Sequence, residues 1–340
     1  MGKSVKLTDA VRGYLLSCRS KKLSETTMRW YRQKLSHFIA FLVEEHEVTL
    51  LKQIDITLLR EYVEDLRESK AYESHPSKQS EGNEALADHT IKGYVQVIKG
   101  FFNWCVREEL LAKNPAARLE NPAVGKYVIK TFSQEQIRAM LELCDTHTAI
   151  GYRDYTIILL LLDTGIRVSE LCGLTLEMVF IESLNGAFIK VFGKGRKERE
   201  VGLSAETAQH LWKYIHVHRQ SKVAENTTVF INRFGNALTP SGVDQLLYEL
   251  EKRTGITGVR VSAHTFRHTF ARMFLENGGE VYKLSLLLGH SSVVVTERYL
   301  KDFMSRSARQ DQSKYSPVVS LNLARTKRGG FRKAAKDDVV

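Results

Sequence analysis

Residues 262–274 read SAHTFRHTFARMF, a stretch that sets His264, Arg267 and His268 within one short span of an otherwise apolar segment. On a helix these three stand at i, i+3 and i+4 and share a face. Phe266, Phe270, Met273 and Phe274 fall on the other side and read as the stripe that faces a core. Three chemistries suit the polar face. His-x-x-x-His has the spacing of metal ligands. Here, however, Thr265 stands where a metalloprotease helix carries its general-base Glu, and Arg267 would place a fixed positive charge beside the metal. Buried histidines satisfied by backbone carbonyls are the plain structural alternative. The third is a phosphate or oxyanion site, in which a guanidinium offers a planar fork to two oxygens and an imidazole donates to another.

Other segments supply more of the same chemistry. TGIRVSEL (164–171) puts Arg167 just after a helix-stopping glycine, Gly165, and puts Glu170 one turn on, where it can hold the guanidinium. An ordinary surface pair, worth little, is the alternative. GKGRKER (193–199) presents Lys194 between two glycines at the tip of an expected hairpin, which on its own is an ordinary basic turn. It is not a phosphate-cradling P-loop, because Phe188 and Gly195 stand where that motif needs Gly and Ser or Thr. LGHSS (288–292) ends a helix at Gly289 and presents His290, and TERYL (296–300) carries Tyr299.

These five segments, in this order and with these gaps, resemble the active-site segments of the tyrosine recombinases, the phage-integrase-like family. The resemblance implies a role for each residue. Arg167 and Arg267 would clamp the non-bridging oxygens of a scissile phosphate, and His264 and His290 would donate hydrogen bonds to it. Lys194 would protonate the leaving 5′ oxygen, and Tyr299 would be the nucleophile. Glu170 and His268 would support the others from behind. The implied activity is cutting and rejoining of duplex DNA at an inverted-repeat site through a 3′-phosphotyrosyl link, by a homotetramer on two DNA sites with or without accessory proteins. No cofactor and no metal is expected. A topoisomerase-like DNA-relaxing enzyme and a DNA-binding regulator without catalysis are the competing expectations.

The elements that must position these groups follow from periodicity. Apolar residues recur at helical spacing in 8–19, 24–45, 55–69 and 88–111, with Ser24, Asp55 and Asp88 expected as N-caps. A helical domain over 1–112, similar in kind to the family's SAM-like core-binding domain, is therefore expected. It is interrupted by the polar stretch 72–87. Two Asn-Pro pairs mark 113–130 as an interdomain linker. The catalytic domain is expected over 131–315, opening with a Ser133/Gln136 capping box and Phe132 as its hydrophobic staple. Helices are expected at 153–163, 205–219, 239–253, 263–277, 280–288 and 292–304, with a hairpin of 187–192 and 198–203. The fold class is thus mainly α with a small antiparallel β-hairpin or sheet, built as a two-domain DNA clamp. Residues 316–340 form a tail whose apolar part is expected to dock on a neighbouring protomer.

Composition sets the limits. Fifty Lys and Arg against 39 Asp and Glu give a net charge of +11, which favours polyanionic partners. The longest apolar run, IILLLL at 157–162, is far too short to span a membrane. Four cysteines, Cys18, Cys105, Cys144 and Cys172, lack the spacing of a disulfide framework or a zinc knuckle. A soluble cytoplasmic protein is expected.

Overall fold

The computed structural model describes residues 4–68, 85–123, 125, 130–193, 197–220, 226–289, 316 and 318. The chain divides into two compact units, Met1–Tyr127 and Val128–Val340. The fold is mainly helical with one small antiparallel sheet, as the pattern predicts.

Among the described residues, the first unit holds the α-helices α1 (Leu7–Ser20), α2 (Glu25–Ala40), α3 (Ile56–Glu68) and α4 (Asp88–Arg107). Ser24 caps α2 by accepting from the Thr27 N–H at 3.2 Å, and Asp55 caps α3 by accepting from the Leu58 N–H at 2.9 Å. Asp88 is not a cap. Ala87 takes the cap position, and Asp88 is the first helical residue, where its charge still meets the positive end of the helix dipole. The π-helical turn Phe41–Glu45 completes the span expected for α2. Helix α4 stops short of position 111 because Glu109 adopts φ +59° and the Leu110 N–H turns back to the Cys105 carbonyl at 2.9 Å. Phe38, Tyr62, Phe101 and Phe102 fill the core, with Phe38 and Tyr62 edge to face at 5.0 Å. The stretch expected as linker opens with a 3₁₀ turn, Pro115–Arg118, whose Ala116 joins Leu119 in that core. Of the polar stretch 72–87, only 85–87 lie within the described residues.

The second unit opens with α5 (Gln134–Glu142), capped by the reciprocal bonds of Ser133 and Gln136. Phe132 packs its ring on Phe266 at 4.8 Å. Helix α6 (Ala149–Thr164) begins a turn earlier than its periodicity suggests, because Thr148 accepts from the Gly151 N–H at 3.0 Å. Ile157, Ile158, Leu160 and Leu161 are all buried, so α6 is the central post of the unit. After α7 (Val168–Cys172) come β1 (Val179–Phe180), β2 (Phe188–Phe192) and β3 (Glu198–Gly202). They form an antiparallel sheet in that order, with Ile189 opposite Val201 and Lys190 opposite Glu200. Ile189, Val191 and Val201 face the core, whereas Lys190 pairs with Glu198 and Glu200.

Helices α8 (Ala205–Lys213), α9 (Pro240–Thr254), α10 (Ala263–Glu276) and α11 (Val281–Leu288) complete the unit. A π-helical turn, Tyr214–His218, extends α8. The expected helix at 292–304 lies outside the described residues, as does the tail save for 316 and 318. Among the described residues, no helix is long and apolar enough to cross a membrane.

Candidate active site

Three backbone ends converge on one place in the second unit: the stop of α6, the start of α7 and the stop of α11. Gly165 and Gly289 end their helices in the left-handed conformation, with φ +60° and +61°. A helix C-terminus leaves carbonyls without intrahelical donors and carries partial negative charge. Here arginines supply the donors. Arg267 gives one Nη to the Gly165 carbonyl at 2.8 Å and the other to the Leu288 carbonyl at 2.6 Å. Arg199 gives its Nε to the Leu287 carbonyl at 2.7 Å, and Arg167 gives an Nη to the Gly289 carbonyl at 3.4 Å.

Glu170 lies at the centre of this knot, with its side chain only 2% exposed. Its Oε1 accepts from Arg167 Nη1 at 2.9 Å and from Arg199 Nη1 at 2.8 Å. Its Oε2 accepts from the Arg167 backbone N–H and from Arg199 Nη2, both at 2.8 Å. Burial by itself would raise the Glu170 pKa. The Arg199 fork, the Arg167 N–H and the Arg167 guanidinium outweigh it and hold the carboxyl below its ordinary value. The pair is therefore not the weak surface bridge that spacing alone allows. Arg167 remains one-third exposed while Glu170 holds it.

On α10, Ser262 caps the helix by accepting from the Thr265 N–H at 3.2 Å, which fixes where His264 and Arg267 emerge. His264 reaches the surface and His268 is half-buried, with their rings edge to face at 5.4 Å. Arg267 departs from the expected solvent-facing position, because it is 4% exposed and is drawn under the surface by the two carbonyls it caps. The opposite stripe is only partly core, since Phe266 is fully buried while Phe270, Met273 and Phe274 are half-buried. Partial desolvation, then the charges of Arg267 and Arg167, push the His264 pKa below its usual value. The shift favours the neutral imidazole, which can still donate one N–H.

Arg167, Glu170, His264, Arg267 and His268 are thus all placed within the second unit. Lys194, His290 and Tyr299 lie outside the described residues. Their chain neighbours are visible. The Gly193 N–H closes the base of the hairpin on the Lys197 carbonyl at 2.9 Å, and Gly289 ends α11. Arg199 is a site residue that the spacing argument passes over. Its signal is the two-residue strand period, which puts this arginine in phase with the core-facing Val201. Among the described residues, no group of three His, Cys, Asp or Glu is placed to hold a metal ion. The site thus brings together two guanidiniums, one held by a carboxylate and both bonded to backbone carbonyls, and the imidazole of His264 on the helix of one of them.

The sequence pattern of the phage integrase family matches residues 130–306, and that of the phage integrase SAM-like domain matches 6–121. The chain belongs to this family, the tyrosine recombinases, which are site-specific DNA recombinases. Among its relatives, the tyrosine recombinase XerD of Staphylococcus aureus is 31% identical over 284 residues, covering 82% of this chain and 88% of that one. XerD of Staphylococcus epidermidis is 30% identical over 281 residues, with the same shares covered. The fold is similar to that of the Tn1549 transposon integrase in complex with a circular intermediate DNA, with a TM-score of 0.71 at 17% identity, over 92% of this chain and 100% of that one. It is also similar to XerH bound to a palindromic difH substrate, with a TM-score of 0.68 at 21% identity, over 84% and 79% of the two chains. The relaxing-enzyme and regulator expectations are not favoured by these relatives.

Proposed function

We propose that this protein cuts and rejoins duplex DNA at an inverted-repeat site through a covalent link to Tyr299. The Tyr299 phenol, which carries its proton at pH 7, loses it as the oxygen attacks the scissile phosphorus. The bond from phosphorus to the 5′ oxygen breaks, and Lys194 gives that oxygen a proton. The product is a 3′-phosphotyrosyl strand and a free 5′ hydroxyl. A 5′ hydroxyl from the partner duplex then attacks the phosphotyrosyl bond, reseals the strand and returns the phenol. One phosphodiester is exchanged for another at each step, so no nucleotide is consumed.

The charge that builds on the phosphate oxygens meets Arg167 and Arg267, with His264 and His290 donating. The observation that carries this reading is the Glu170-held Arg167 and the carbonyl-held Arg267 at the converging ends of α6 and α11, with His264 on the helix that bears Arg267. His268 supports His264 from the same helix face. A helical core-binding domain over 1–112, its core extended by Ala116 and Leu119 of the 113–130 stretch, would clamp DNA against the catalytic domain over 131–315. Four protomers on two duplexes form the active complex in the cytoplasm, with accessory proteins where the site needs them. Integration, excision or resolution of a mobile element is the role we assign.

Covalent capture tests the proposal. Wild type and Tyr299→Phe are mixed with sheared DNA from the source, denatured in SDS, and the protein-linked DNA is sequenced. Adducts formed by wild type alone and clustered at one inverted-repeat site are the expected result. Good DNA binding with no adduct would refute it.

A further inference from the structure

Arg199 spends every face of its guanidinium inside the protein. Nη1 and Nη2 form a fork on the two oxygens of Glu170, each at 2.8 Å, while Nε donates to the Leu287 carbonyl at 2.7 Å. The side chain is 12% exposed. Charge balance does not explain the arrangement, because Arg167 already neutralises Glu170. What a second arginine adds is direction. A planar fork fixes the plane of the carboxylate, and the carboxylate in turn fixes Arg167.

The backbone around this guanidinium points the same way. A Cβ at Gly289 would stand 3.0 Å from Arg199 Nη1 and 3.1 Å from its Cζ. A Cβ at Gly193 would stand 3.7 Å from Nη1 and 3.8 Å from Glu170 Oε1. The approach at Gly289 is tighter than a side chain comfortably tolerates, and its φ of +61° favours glycine as well, whereas Gly193 lies at ordinary contact distance. The residue after Gly193 is Lys194, and the residue after Gly289 is His290. Arg199 also sits on β3, the strand that leaves the hairpin bearing Lys194.

We propose that Arg199 is a positioning residue of strand cleavage: it holds Glu170 against Arg167 and, through the Leu287 carbonyl, holds the end of α11 from which the chain enters position 290. The inference rests on the strand-cleavage reading above. Arg199 touches no reacting atom and acts through Arg167 and the backbone. Lysine cannot replace it, since one ammonium cannot satisfy a carboxylate fork and a carbonyl from the same place.

The test compares full-length wild type, Arg199→Lys and Arg199→Gln on the DNA pool of the capture experiment. DNA affinity is read by gel shift and adduct formation at saturating protein across pH. Both variants are expected to bind DNA as wild type does and to form adduct about 100-fold more slowly, the scale of a small misplacement of catalytic groups. Arg199→Lys is expected to recover thermal stability but not rate. In Arg199→Gln the acid limb of the rate profile should move to higher pH, because Glu170 loses the cation that lowers its pKa most. Full rate in a folded Arg199→Lys protein, or an unmoved acid limb, overturns the positioning role alone. A wild type that forms no adduct overturns the cleavage reading, and this inference falls with it.

Discussion

Glu170 is a carboxylate with almost no water, and its stability contribution depends entirely on four donated hydrogen bonds. Removing it leaves Arg199 buried without a counter-charge, and breaking a buried pair from one side is expensive. Glu170→Ala is expected to lower unfolding stability by about 3–5 kcal/mol in urea denaturation. The pH dependence has a defined sign. The folded-state pKa lies below the unfolded value of about 4.3, so the contribution is complete above that value. It is lost as pH falls through the lowered folded-state pKa, and Glu170→Gln should remove that acid-side loss. An unchanged acid slope in the Gln variant would show that other carboxylates govern it.

At the scale of elements, three helices of the second unit stop at a left-handed glycine: α6 at Gly165, α9 at Gly255 and α11 at Gly289. They separate two costs. A Cβ at Gly255 meets nothing within 4 Å, so Gly255→Ala carries only the backbone penalty, about 1–2 kcal/mol. At Gly165 the same Cβ would lie 2.4 Å from Cδ1 of Phe270, on the helix that carries Arg267. Gly165→Ala should therefore lower the urea midpoint more than Gly255→Ala does. It should also slow adduct formation, because the Gly165 carbonyl holds Arg267. Equal midpoints and equal rates for the two variants would refute the close-packing argument.

For the whole molecule, the net charge of +11 gives the chain a general attraction to DNA, but attraction does not pair two duplexes. If the proposed assembly on two duplexes forms, protomers must hold one another, and the apolar stretch SPVVSLNL (316–323) is the segment proposed for that task. Deleting 316–340 is expected to leave binding of one duplex site intact and to weaken assembly on two, as read by native gels with duplexes of different length. Undiminished two-duplex assembly would remove the tail from the proposal.

Much of this protein was legible in its residues. Helical periodicity, caps at Ser24, Asp55 and Ser133, and stops at Gly165 and Gly289 are local signals, because they depend on neighbours one turn away. Periodicity also placed His264, Arg267 and His268 together, since i, i+3 and i+4 share a face in any helix. Burial was not local. Arg267 sinks beneath the surface because carbonyls at 165 and 288, far along the chain, need its donors. The weight of the Arg167–Glu170 pair likewise came from Arg199, 29 residues from Glu170, which turns an i,i+3 surface pair into a dry, four-bonded knot. Sequence spacing decided which groups share a face. Only the tertiary structure decided which are desolvated, because desolvation is the work of atoms that distant segments bring.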